Sequence, residues 1–144
     1  NKAAHSKIKT TEIHFRKKGG NRKMEDLRAQ QIEALEVLGD YNERLMKSIH
    51  SVIKELDGDR KEDTDQFLDE IIKGINWEIG ILNGTMELIN EKEERIKKED
   101  MNSGILKLSK ALEGKVDKEM AKALEEALPM FEELGKAAKE IVAM

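Results

Sequence analysis

The stretch Asp65–Asn90, DQFLDEIIKGINWEIGILNGTMELIN, constrains the fold more than any other part of the chain. Leu68, Ile71, Ile75, Ile79, Leu82, Met86 and Ile89 recur at three- and four-residue steps, the spacing that gathers side chains on one face of an α-helix. A second stripe, Phe67, Gly74, Trp77, Ile81, Gly84 and Leu88, runs along another face. A helix that is apolar on two faces needs neighbours on both sides, so the rest of the chain has to cover this one.

The flanking sequence is built for that task. Leu27, Ile32, Leu35, Leu38, Leu45, Ile49, Val52, Ile53 and Leu56 predict a first helix over Met24–Leu56. Gly39 and Asn42 interrupt its stripe, which predicts a bend or a polar layer. Asp57-Gly58-Asp59 is a helix stop with turn chemistry. Asp63 or Asp65 opens helix 2, and Asp63 with Gln66 has the spacing of a capping box. After Asn90 the chain reads EKEERIKKED, with Glu93–Lys97 and Glu94–Lys98 at i,i+4. That run predicts a solvated extension of helix 2 as far as Glu99.

Asp100–Gly104 reads as a loop, with Ser103 capping a short helix 3 that carries Ile105, Leu108, Ala111 and Leu112 and stops at Gly114. Asp117 caps helix 4, which presents Met120, Leu124, Ala127, Phe131, Leu134, Ala138, Ile141 and Val142. Pro129 inside it removes a donor and crowds the preceding turn, so a kink is expected there. The expected fold is all-α: an antiparallel bundle of three long helices plus one short helix, four-helix-bundle-like, with helices 1 and 2 as the main hairpin. At 144 residues the chain can bury one real core.

Residues 1–23 stand apart. They hold eight Lys/Arg against the single acid Glu12, a charge of +7, whereas residues 24–144 carry −11. Ile8, Thr10, Thr11, Ile13 and Phe15 lean towards extended structure. Lys18-Gly19-Gly20 can be encoded by AAA-GGA-GG, the purine core of a bacterial ribosome-binding site, with Asn21-Arg22-Lys23 as the spacer before Met24. The expected division is therefore a basic extension, 1–23, which on this reading is a leader before a start at Met24, and one helical domain, 24–144. The alternative role for 1–23 is a basic arm that meets an acidic partner or nucleic acid. The acidic body itself disfavours nucleic acid and anionic membranes. No apolar run reaches the 18–20 residues of a membrane span, and no secretory pattern opens the chain. The absence of cysteine fits a reducing cytosol, so the expected location is cytoplasmic, with the ribosome-binding pattern before Met24 as the bacterial sign.

No motif calls for a metal, a cofactor or a catalytic role. The histidines, His5, His14 and His50, never follow a glutamate by three residues, as di-iron helices require. No phosphate loop, dinucleotide fingerprint or nucleophile elbow is present.

Binding surfaces are the better candidates. Each of Gly74, Gly80 and Gly84 costs helix 2 about 1 kcal/mol relative to Ala, so something bulky must lie over them. Asn76, Asn83 and Asn90 repeat every seven residues along the border of the main stripe. They read as a hydrogen-bonding boundary row or as a ladder that sets register with a partner. The candidate contact residues are Trp77, Asn76, Gly80, Asn83 and Gly84, with Met130 and Phe131 beyond the Pro129 bend as a second patch. The expected function is a non-catalytic protein-interaction module, such as an adaptor, regulator or export chaperone, able to pair as a homodimer. The alternative is a small-ligand binder or enzyme with its site near Trp77, Gly74 and Gly84.

Overall fold

The computed structural model describes residues 7–15 and 23–144, with the backbone alone at Lys23 and Met24. Among the described residues four helices follow one another: α1 (Lys23–Leu56), α2 (Thr64–Ile89), α3 (Lys98–Gly114) and α4 (Asp117–Ala143). The stripes read from the sequence form the core. Leu35, Leu38, Leu45, Ile49, Val52 and Leu56 of α1 and Leu68, Ile71, Ile75, Ile79, Leu82 and Ile89 of α2 are buried. Leu108 and Leu112 of α3 join them, with Leu124, Phe131, Leu134 and Ile141 of α4. Each such side chain stabilises the fold by roughly 1.5–3 kcal/mol through removal from water.

The helices run up, down, up and down. Arg28 near the start of α1 pairs with Glu91 just past α2 at 2.8 Å. Lys118 at the start of α4 meets Asp57 at the end of α1, and Gly104 of α3 lies under Met130 of α4. The most extensive packing is α1 on α4, ahead of α1 on α2. The α1–α2 hairpin is thus present but is not the main pair. Gly39 and Gly135 let α1 and α4 approach closely: Lys139 lies over Gly39 and Asn42 over Gly135. α4 runs on through Pro129 without dividing.

Three boundaries differ from the sequence expectation. First, α2 ends at Ile89 rather than near Glu99. Ile96 interrupts the charged run and is only 3% exposed; burying it requires the chain to turn back. Asn90 holds that turn from both sides: its Nδ2 donates to the Ile96 carbonyl at 2.9 Å and its Oδ1 accepts from the Ile96 N–H at 3.1 Å. Arg95 satisfies the last-turn carbonyl of Ile89 and reaches Glu140 of α4.

Second, α3 begins at Lys98, so Ser103 and Gly104 lie inside the helix rather than in a loop. Met101, also expected in that loop, is buried and draws the segment onto the core. Third, the Asp63 capping box does not form, since Asp63 makes no side-chain cap. The buried Thr64 hydroxyl closes this turn instead, accepting from the Lys61 N–H at 2.8 Å and donating to Glu55 at 2.7 Å.

The α3–α4 turn puts its left-handed residue at Lys115 (φ 58°), one position after Gly114. A side chain in that region is strained, so Lys115→Gly should stabilise the chain by about 0.5–1 kcal/mol in urea unfolding. Destabilisation would mean that Lys115 makes contacts that outweigh the relief.

Candidate functional site

Around α2 the sequence candidates separate onto two faces. At 3.6 residues per turn, Asn76, Gly80, Asn83 and Gly84 share the outer face, and residues 7–15 lie along it as an irregular, non-helical segment that bends at Lys7 and Ile8. The segment runs in the same direction as α2. Asn76 holds it by both ends of its amide: Oδ1 accepts from the Lys9 N–H at 2.9 Å and Nδ2 donates to the Lys7 carbonyl at 2.8 Å. Asn83 Nδ2 donates to the Thr11 carbonyl at 3.1 Å. The Ile13 N–H donates to the Gly80 carbonyl at 3.0 Å. Nearly all of these bonds go to backbone, as when a strand is added to a sheet edge, although the receiving surface here is a helix.

The two glycines make this approach possible. A Cβ on Gly84 would overlap the Ile13 carbonyl oxygen and lie 2.9 Å from the Phe15 ring. A Cβ on Gly80 would sit 2.9 Å from Ile13 Cγ1. Gly80-x-x-x-Gly84 is therefore a seat for non-helical chain, not for another helix. Ile8 is 5% exposed, Ile13 and Phe15 are half-buried against the core, and Lys9, Thr10, Thr11, Glu12 and His14 face solvent. Lys7 Nζ pairs with Asp69 at 3.1 Å. Lys2, Arg16, Lys17 and the Lys18-Gly19-Gly20 stretch read above as a ribosome-binding core fall outside the described residues, as does His5.

The other face meets α1. The Tyr41 hydroxyl occupies the space a Cβ on Gly74 would need, and Trp77 stands edge-on to the Tyr41 ring, centroids 5.5 Å apart. Trp77 is half-buried. Around Trp77, Gly74 and Gly84, where the alternative reading puts a small-ligand site, Tyr41 lies against Gly74 on one side and Ile13 and Phe15 lie against Gly84 on the other. Met130 and Phe131 do not form a surface patch: Phe131 is 1% exposed and belongs to the core, and half-buried Met130 packs over Gly104.

The asparagine row is real, but its partners are segments of this chain. Asn76 and Asn83 clamp residues 7–11, while Asn90 clamps Ile96.

One polar cluster escaped the sequence reading. Glu78 of α2 is fully buried, and its Oε1 accepts from Asn42 Nδ2 of α1 at 3.0 Å. Among the described residues, its second oxygen, Oε2, has no hydrogen-bond partner. Burial pushes the Glu78 carboxyl up to about 8, a rise that the Asn42 hydrogen bond opposes only in part. The group is then largely neutral at pH 7, as expected where a charge has no counter-ion. Asn42 lines a groove of about 500 Å³ between α1 and α4, and its amide oxygen abuts Gly135. The expected polar layer at Gly39/Asn42 is therefore present, with Glu78 as its hidden member. The signal was there: Glu78 falls between Ile75, Ile79, Ile81 and Leu82, but one acid among 30 did not stand out. Among the described residues, no three or more His, Cys, Asp or Glu side chains come together as a metal site would need.

Residues 33–137 match the family described as "Domain of unknown function (DUF8042)", and the chain belongs to that family. The matched span runs from within α1 to within α4 and leaves residues 7–15 outside it. No curated protein and no solved structure matches the chain.

Proposed function

We propose that this member of the DUF8042 family is a non-catalytic protein-interaction module that receives a non-helical polypeptide segment on the outer face of α2. The observation that carries the reading is the seat itself. Asn76, Asn83 and the Gly80 carbonyl are spent on the backbone of residues 7–13, and of two helix-weakening glycines Gly84 admits that backbone and Gly80 the Ile13 side chain. Backbone-directed bonds supply affinity for any extended chain, and pockets for alternate side chains supply selectivity. The seat is also weak enough to exchange. Ordering a nine-residue segment costs roughly 1–2 kcal/mol per residue. A few hydrogen bonds, each worth a net ~0.5–1.5 kcal/mol, with one buried anchor, Ile8, and two half-buried ones, Ile13 and Phe15, offset that only approximately. Exchangeable peptide contacts suit an adaptor, a regulator or an export chaperone in a bacterial cytoplasm. No helix among the described residues is long and apolar enough to cross a membrane.

The test is a titration. Ile13→Asp in the full chain should unseat residues 7–15 while the helical circular dichroism stays unchanged. A labelled peptide of residues 7–15 should then bind this variant saturably, one to one, with Kd in the tens of micromolar by fluorescence anisotropy. A folded variant that binds no peptide would refute the reading.

A further inference from the structure

We infer that residues 7–15 are an internal stand-in for the external partner, masking the α2 seat and displaying the pattern that a partner segment must carry. The inference rests on the interaction-module reading above and adds to it the partner's chemistry and a mode of regulation.

The pattern follows from which side chains of the segment are engaged. Ile8 is buried at the α2 surface; five residues on, Ile13 packs at Gly80; two residues further, Phe15 packs at Gly84. The cation immediately before the first anchor, Lys7, pairs with Asp69. Lys9, Thr10, Thr11, Glu12 and His14 project to solvent, so their identity is not read. The partner is therefore a non-helical polypeptide segment with a basic residue directly before an aliphatic anchor, a second aliphatic residue five positions on, and an aromatic residue two positions after that. Gly84 sets a further condition. The carbonyl of the second anchor rests where a Cβ would be, so the partner's backbone, and not only its side chains, must reach α2 at that residue.

Masking follows from connectivity. A segment tethered a few residues from its seat competes at an effective concentration of about 1 mM. If its intrinsic Kd is about 50 μM, it occupies the seat more than nine-tenths of the time and weakens an external segment about 20-fold. A partner gains access by outcompeting the stand-in.

The experiment uses the full chain, as wild type and as Ile13→Asp, with labelled peptides read by anisotropy. The 7–15 peptide is expected to bind Ile13→Asp at least 10-fold more tightly than wild type. On Ile13→Asp, a peptide of the same composition with the two isoleucines and the phenylalanine moved to other positions should bind at least 10-fold more weakly. Adding Gly84→Val to Ile13→Asp should abolish binding of the 7–15 peptide, with the helical signal retained. Equal affinity for ordered and rearranged peptides overturns the pattern while leaving the interaction-module reading intact. Equal affinity of wild type and Ile13→Asp overturns the masking. Failure of every peptide to bind a folded Ile13→Asp chain removes the underlying reading, and the inference with it.

Discussion

Glu78→Gln should make the chain more stable than wild type by about 1–3 kcal/mol at pH 8–9, and should change it little at pH 4–5. In the folded chain burial holds the Glu78 carboxyl up to about 8, well above the range of an unfolded glutamate near 4.3. Between those values the folded state keeps a proton that the unfolded state releases. Stability from this group is therefore complete below pH 4 and falls as pH rises towards 8. Each unit of difference is worth about 1.4 kcal/mol, so the loss across the window is on the order of a few kcal/mol. Glutamine keeps the shape and still accepts from Asn42 but cannot ionise, so its stability should be nearly flat over the same range.

Other groups act elsewhere on the pH axis. Glu43, Glu91 and Asp117 are held below the usual carboxylate range by hydrogen bonds from Lys139, Arg28 and Arg60. Their contributions are lost only on acidification, below the Glu78 window. Tyr41, the titratable neighbour that senses Glu78, is pushed above 10 by burial first and by the Glu78 charge second. Urea unfolding at half-unit steps from pH 4 to 9 would show it. Parallel curves for wild type and variant would mean that Glu78 ionises freely, through water or a partner not apparent from its buried position.

Gly135→Ala is expected to destabilise the chain by about 2–4 kcal/mol, although alanine is the better helix former by about 1 kcal/mol. The added Cβ would collide with the Asn42 amide oxygen and lie 2.9 Å from its Cγ. Asn42 is 4% exposed and has little room to yield. If it turns away, Glu78 loses its hydrogen-bond donor at 3.0 Å, and both carboxyl oxygens are left buried without one. An unsatisfied buried polar group costs roughly 1–3 kcal/mol, and any separation of α1 from α4 opens the most extensive packing in the bundle.

Asn42→Ala alone should cost about 2–3 kcal/mol by orphaning the same carboxyl. The two losses share one cause, so the double variant should be more stable than the sum of the singles predicts, by about 1–3 kcal/mol. Strict additivity in a urea-denaturation cycle would show that Gly135 acts on something other than Asn42. The cycle should also depend on pH, because the orphaned Glu78 is more costly when charged.

These two sites show how differently the chain's features could be read in advance. The need for cover over Gly74, Gly80 and Gly84 was legible, because glycine inside a helix is costly and needs a reason. Which groups supplied the cover was not. Tyr41 is 33 residues from Gly74 and Ile13 is 71 residues from Gly84, and no local pattern joins them. The candidates Asn76, Gly80, Asn83 and Gly84 do come together on one face. Trp77 belongs instead with Tyr41, and Phe131 with the core. The interior position of Phe131 was already implied by its place in the α4 stripe, three residues before Leu134.

The sequence alone determined the all-α class, the central place of α2 and most of the buried residues. Those depend on apolar spacing within a single helix, which neighbouring residues dictate whatever the rest of the chain does. Tertiary structure decided where α2 ends, which helices pair most closely, what occupies the glycine face and why Glu78 stays protonated. In each case the deciding interaction joins separate elements: Ile96 and Arg95 folding back past Asn90, Asn42 reaching Glu78 between α1 and α2, and Ile13 resting on Gly84. Desolvation and close packing exist only once those elements have met, so no spacing rule within one helix could have shown them.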